Sequence, residues 1–225
     1  LPDVLVERFA QKGVIVCNGY GMTETGPTAF VAHRDDALSK IGSVGKPQLM
    51  LEVRIVDAEG RDAAEGESGE IWMRGPGITP GYWNKPQETA KAFTADGWLR
   101  SGDIGRRDAD GCYYVAGRIK EMFISGGSNV YPAEIENVLG RHPAVLEAAV
   151  IGVADEKWGE AGHAFVLLKP DALPPSEADL IQFCRANLAG YKIPRQVSFV
   201  AEFPRTAAGK IRKHLLAPAI HAPAR

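Results

Sequence analysis

The chain holds 225 residues, with 26 Lys and Arg against 28 Asp and Glu, a formal net charge of -2 and 45% hydrophobic residues. That balance excludes a disordered chain, which has too few apolar residues to build a core, and a general nucleic-acid binder, which carries a strong basic excess. No apolar run approaches the roughly 18–20 residues of a membrane span, and three scattered cysteines (Cys17, Cys112, Cys184) suit a reducing, cytoplasmic compartment better than a disulfide framework or zinc knuckle. The chain starts Leu-Pro-Asp, without an initiator Met or a signal-peptide pattern, as a fragment or processed product would.

Taken in order, residues 3–12 predict a short helix, with Val4, Leu5 and Phe9 on one side and Gly13 as its stop. Val14–Val16 predicts a short buried strand that runs into a glycine-rich loop, Asn18 to Pro27. Residues 51–56 alternate with period two, Asp57 to Gly60 is a turn, and Gly69–Arg74 is a further strand. Pro76 to Gly81 is loop chemistry, 86–94 a short helix, and Asp108 to Gly111 the turn of a hairpin between Ile104–Arg106 and Cys112–Val115. After Gly117 the character changes. Met122–Ile124 is a short strand and Gly126–Asn129 a loop. Pro132 opens a helix that His142-Pro143 stops. Strands at 146–153 and 163–168 follow, then a linker at 170–175 and a helix capped by Ser176. A strand at 196–200 and the start of a last helix at 210–216 close the chain. The expected architecture is α/β and α+β in two units, 1–117 and 118–225, the first β-rich and the second a compact α/β domain.

Four stretches and the lone Arg118 carry chemistry. In Gly19-Tyr-Gly-Met-Thr-Glu24, backbone N–H groups at a strand end can face a ligand. Thr23 offers a hydroxyl, Glu24 an oxygen ligand suited to Mg²⁺, and Tyr20 a flat face for a base. A glycine-rich turn with an exposed Glu is the plainer alternative. Asp103, after Ser-Gly, can accept two ribose hydroxyls or simply cap an Asx turn. Arg118 presents a fork of donors for a ribose or phosphate, or a surface ion pair. Gly126-Gly127-Ser128-Asn129 allows a ligand chain close passage, or is an ordinary turn. The segment Pro204 to Lys213 superficially resembles a phosphate-binding P-loop but fails the pattern. No Gly stands five residues before Gly209, and Ile211 replaces the Ser/Thr. Lys210 on its glycine hinge is still well placed to meet a phosphate or carboxylate, although a solvated basic helix start is the bland reading. The five His show no metal spacing, and there is no Gly-x-Ser-x-Gly elbow.

Together and in this order, YGMTETGP (20–27), GEIWMRGPGITPGYWNKPQET (69–89), DGWLRSGD (96–103), GRIKEMFISGGSNVYPAEIE (117–136) and PRTAAGK (204–210) closely resemble the adenylate-forming acyl-CoA synthetases, relatives of luciferases and of peptide-synthetase adenylation domains. The resemblance covers essentially the whole chain. It implies an ATP-dependent ligase for a fatty or aryl carboxylic acid, in which the carboxylate attacks the α-phosphate to give an acyl-adenylate and the thiol of CoA then displaces AMP. It also implies roles. Tyr20, with Gly19 and Gly21, would pack on adenine and Asn18 would lie at its edge. Thr23 would touch the phosphates, Glu24 would hold Mg²⁺, and Asp103 would bind the ribose with Arg118 nearby. Lys210 would bridge the carboxylate and α-phosphate. Lys120 would be the hinge of a rotating C-terminal lid. Gly126, Gly127 and Ser128 would line the CoA arm, and Asn129 would lie near the nucleotide, where relatives often carry Gln or Arg.

One departure stands out: the family's Gly- and Ser/Thr-rich phosphate loop lies upstream of YGMTE and is not in this sequence. The expected assignment is therefore the end of the large AMP-binding domain (1–117) followed by the lid (118–225), with the isolated chain inactive. The alternatives are an adenylating enzyme that loads a carrier protein and a non-catalytic nucleotide-binding remnant. A homo-oligomer is left open.

Overall fold

A computed structural model describes residues 3–216 of the chain. The chain divides into two compact units, one up to Lys120 and one from Glu121, three residues beyond the expected boundary after Gly117.

The first unit opens with helix α1 (Asp3–Gln11). Gly13, at φ +76°, ends it in a Schellman motif: the Gly13 N–H donates to the Ala10 carbonyl and the Val14 N–H to that of Phe9. That closure corrects the strand expected at Val14–Val16. Val14 is 48% exposed, its N–H is spent on the helix end, and no described strand pairs with it.

Seven strands follow: β1 (Gly19–Met22), β2 (Gly26–Val31), β3 (Ser43–Pro47), β4 (Glu52–Val56), β5 (Gly69–Arg74), β6 (Leu99–Arg107) and β7 (Tyr113–Arg118). They form one sheet in the order β1-β2-β3-β7-β6-β5-β4, with every neighbouring pair antiparallel. The stretch expected as a glycine-rich loop is thus a β1–β2 ribbon with a 3₁₀ turn, Thr23–Thr25, at its tip. Gly21 allows the ribbon to form, because a Cβ there would stand 2.7 Å from the Pro27 carbonyl oxygen. The short helix α2 (Pro86–Ala92) leads into β6.

Alternation decides what the sheet buries. On β5, Gly69, Ile71 and Met73 point inward, where Ile71 and Met73 join Phe30, Val44, Ile55, Leu99 and Tyr113 in the core. The opposite face carries Glu70, Trp72 and Arg74. There Arg100, Trp72, Arg54, Trp98 and Arg74 alternate as a cation–aromatic ladder, each guanidinium 4.4–5.6 Å from its ring centroid.

The second unit contains β8 (Phe123–Ser125), β9 (Ser128–Val130), α3 (Pro132–Gly140), β10 (Val145–Asp155), β11 (Gly159–Leu168), α4 (Glu177–Asn187) and β12 (Gln196–Phe199). Its sheet runs β10-β11-β8-β9, and β12 pairs parallel with β11. The expected 126–129 loop is shorter than that. Only Gly126 and Gly127 turn, at φ +57° and +79°, while Ser128 and Asn129 already belong to β9. Gly126 lies under Trp158, where a Cβ would come within 2.5 Å of the ring.

One face of the β10–β11 hairpin packs Val150, Ala164 and Val166 against Ile135, Leu139, Leu180 and Cys184 of the helices. The other packs Ala149 and Phe165 against Phe203 and Leu216. Ser176 caps α4 by accepting the Asp179 N–H, as its position before the apolar run predicts. The helix expected from Lys210 is a single 3₁₀ turn, Lys213–Leu215, because Lys210 and its neighbours form a small hairpin instead.

Candidate functional site

In the first unit the fold brings Tyr20, Asp103 and Arg118 together, although 83 residues separate the first two. Asp103 and Arg118 face each other across β6–β7, and β1 delivers Tyr20. The Tyr20 Oη donates to Asp103 Oδ2 at 2.5 Å, and Arg118 Nε stands 3.5 Å from Oδ1. Asp103 is 7% exposed, so its carboxylate is an oriented acceptor set rather than a surface charge. Burial, and then the bond to Asp103, push the Tyr20 phenol well above its ordinary range, so it stays a donor. Arg118 is mostly exposed and can swing toward a ligand.

The backbone before Asp103 is fixed from two sides. The Asp103 N–H donates to Ser101 Oγ at 3.0 Å. The Gly102 N–H, at φ +73°, donates to Glu70 Oε1 at 2.9 Å, while Glu70 Oε2 accepts the Trp72 indole N–H at 2.8 Å. Sequence reasoning missed Glu70 and Ser101. A lone Glu on the polar face of a strand gives no local signal of a bond to a residue 32 positions away.

A second cluster lies at the ribbon tip. Glu24 Oε1 accepts the Tyr82 phenol at 2.6 Å, and the Glu24 carbonyl accepts the Thr79 N–H at 2.8 Å. The bond to Glu24, helped by burial, pushes Tyr82 up to about 12. Tyr82 is held in place by its N–H, which donates to Thr89 Oγ1 of α2. It too was missed, although an aromatic directly after Pro-Gly is a readable sign of a pinned loop. Thr23 is exposed beside Glu24, and Gly19 and Gly21 leave the ribbon surface open. Asn18 is spent on structure: its Nδ2 donates to the Ser43 carbonyl and its Oδ1 accepts the Gly19 N–H. Lys120 is exposed, at the last position of the first unit.

In the second unit, Lys210 sits on a hairpin over 204–212. The Thr206 N–H donates to the Lys210 carbonyl at 2.8 Å, the Lys210 N–H to Thr206 Oγ1 at 3.1 Å, and the Arg212 N–H to the Pro204 carbonyl at 2.7 Å. Gly209, at φ +79°, makes the turn, and the Lys210 side chain is exposed. Three residues on, Lys213 Nζ lies 2.7 Å from Glu121 Oε2 and 2.8 Å from Glu136 Oε1. Burial pushes the Glu136 carboxyl up against the pull of Lys213. The Lys213 ammonium is itself raised, because two carboxylates outweigh its burial. Gly126 and Gly127 form the β8–β9 turn, with Ser128 and Asn129 following on β9.

An oriented carboxylate suits the paired hydroxyls of a ribose, and a single carboxylate such as Glu24 suits Mg²⁺, which usually takes one or two carboxylates together with substrate phosphates. Both suit the groups of a nucleotide, and comparison with known proteins gives the family. The chain belongs to the AMP-binding enzyme family: the family model for the AMP-binding enzyme matches residues 1–83, and that for the AMP-binding enzyme C-terminal domain matches residues 134–210.

Among its relatives, it is similar to the 2-succinylbenzoate–CoA ligase of Geobacillus kaustophilus, 47% identical over 215 residues, which are 96% of this chain and 43% of that protein. It is similar as well to a feruloyl-CoA synthase of an Amycolatopsis species, 43% identical over 213 residues, 95% of this chain and 43% of that protein. Among solved structures, the o-succinylbenzoate CoA synthetase of Bacillus subtilis, in complex with its acyl-adenylate intermediate, superposes with a TM-score of 0.89 at 38% identity, covering 100% of this chain and 44% of that one. The chain thus spans less than half the length of the curated relatives it matches.

Proposed function

We propose that this chain supplies the nucleotide-facing ribbon and the lysine-bearing domain of an ATP-dependent carboxylic acid:CoA ligase. The observation that carries the reading is the Tyr20–Asp103–Arg118 cluster, which joins three separate motifs into one acceptor site. The substrate is a fatty or aryl acid. The aryl class has the better support, since the similar proteins are named for ferulate and succinylbenzoate.

In the first step a carboxylate oxygen of the acid bonds to the α-phosphorus of ATP and pyrophosphate leaves. In the second the CoA sulfur bonds to the acyl carbon and AMP leaves. Asp103 accepts the ribose hydroxyls, with its orientation set by the Tyr20 phenol, and Arg118 lies beside it. The Tyr20 face and the backbone of Gly19 and Gly21 border the adenine, next to Asn18. Thr23 donates to the phosphates. Glu24, on releasing Tyr82, would hold Mg²⁺, whose charge would offset that of the phosphates. Lys210 carries its ammonium to the carboxylate and α-phosphate, where positioning and charge compensation do most of the catalysis. Lys120 is the hinge that lets Lys210 leave after the first step, and Gly126, Gly127 and Ser128 then line the path of the CoA arm. Asn129 borders the nucleotide.

The test is a pair of half-reactions in an enzyme of the relatives' full length that carries this sequence. Lys210→Ala is expected to lower pyrophosphate release by about 100-fold or more, while thioester formation from supplied acyl-adenylate stays within about threefold. Equal loss of both would contradict the assignment. The 225-residue chain alone is expected to release no pyrophosphate with either class of acid.

A further inference from the structure

The Lys210 hairpin is held at both ends by charge. On one side the Arg205 guanidinium pairs with Glu147 of β10, and its Nη1 also donates to the Gly209 carbonyl at 3.0 Å. On the other, Lys213 drops between two carboxylates, Glu121 Oε2 at 2.7 Å and Glu136 Oε1 at 2.8 Å. The same Glu136 oxygen accepts the Val150 N–H at 2.7 Å, which locks α3, β10 and the Lys213 turn to one another. The side chains of Lys213 and Glu136 are each 20% exposed. An ion pair this far out of water is a poor source of stability, because desolvation offsets the attraction, and an apolar side chain of the same length would fill the space. What such a pair does supply is a fixed register. Here it fixes the turn three residues beyond Lys210, and through Glu121 it ties that turn to the first residue of the second unit.

We propose that Lys213, gripped by Glu121 and Glu136, is a positioning residue for Lys210: it sets where the Lys210 ammonium is presented and links the lysine hairpin to the residue that follows the Lys120 hinge. This inference rests on the assignment of Lys210 to the first half-reaction. Lys213 touches no reacting atom itself. Arg205 braces the hairpin toward Glu147 and the Gly209 carbonyl, whereas Lys213 ties it to Glu121 and Glu136.

The experiment measures both half-reactions in the full-length enzyme carrying Lys213→Met, Lys213→Arg, Glu121→Gln and, as reference, Lys210→Ala. For Lys213→Met, kcat for pyrophosphate release is expected to fall about tenfold or more, as a misplacement near 1 Å would cause. The KM for ATP is expected to change less than about twofold, and so is thioester formation from supplied acyl-adenylate. Lys213→Arg is expected to recover most of the loss, since it restores both ion pairs. If Lys213→Met does not fold, Glu121→Gln, at a more exposed carboxylate, carries the same expectation at smaller size. Lys213→Met matching the wild type, or both half-reactions falling together with the melting temperature, would overturn the proposal while leaving Lys210 in its role. If Lys210→Ala itself spares pyrophosphate release, the functional assignment fails first.

Discussion

At the scale of single residues, charge in this protein is used to hold loops. Lys40 Nζ lies 2.7 Å from Asp108 and 2.6 Å from Asp110, pinning the β6–β7 turn. Burial alone would raise Asp108, yet Lys40 and the Cys112 N–H bring it down from 3.8 to about 2. A carboxyl depressed in the folded state contributes stability that is complete above its unfolded value and disappears as pH falls through the folded one. The first unit is therefore expected to lose this contribution between about pH 4 and about pH 2. Thermal melts across that range should show a shallower acid slope for Lys40→Met, and identical slopes would refute the linkage. The candidate residues were legible at this scale wherever a residue type announced its chemistry: Asp103, Arg118 and Lys210 stand out as charges directly after glycines, and Glu24 as a charge two residues before one. Glu70 and Lys213 did not, because each acts through a partner 32 or more positions away that no local pattern encodes, and for Tyr82 the Pro-Gly before it marks the loop but not the bond to Glu24.

Among the elements, strands with clean alternation were readable and irregular ones were not. Glu52–Val56 and Gly69–Arg74 follow their periodicity. Strand β3, Ser43–Pro47, has a Gly and a Pro in five residues and is not among the expected strands. Its glycine explains why it is a strand at all. Gly45 sits at φ +82°, and a Cβ there would stand 2.0 Å from the Val31 carbonyl oxygen, so β2 and β3 can meet only without a side chain. Gly60 has the same φ of +82° but nothing within 4 Å of its Cβ position, which makes it a control for backbone strain alone. Gly60→Ala is expected to cost about 1–2 kcal/mol. Gly45→Ala adds the clash, for about 2–5 kcal/mol in all. Denaturant unfolding of the two variants measures the difference, and equal losses would mean that β2 moves aside freely. The helix expected from Lys210 failed for a related reason. Thr206, Gly209 and Arg205 offer the backbone a hairpin whose hydrogen bonds compete with helical ones.

For the whole molecule, the division at Lys120 separates two cores. The second unit buries apolar residues on both faces of its sheet, with α3 and α4 on one side and Phe203 with Leu216 on the other. A domain of about 100 residues with two covered sheet faces has enough core to fold unaided. Residues 121–225 alone are expected to unfold in urea as one cooperative transition, and a gradual, non-cooperative loss of structure would count against it. That piece has a further property. Of the four tryptophans, at positions 72, 83, 98 and 158, it retains only Trp158. The Trp158 ring covers Gly126, its carbonyl accepts the Gly126 N–H, and the cations of Arg195 and Lys157 stand 5.1 and 5.5 Å from its centroid. Positive charge beside an indole shifts its emission, so the isolated domain carries a built-in optical gauge. Its fluorescence colour is expected to change when the packing of Trp158 on Gly126 is lost on unfolding, without any added dye.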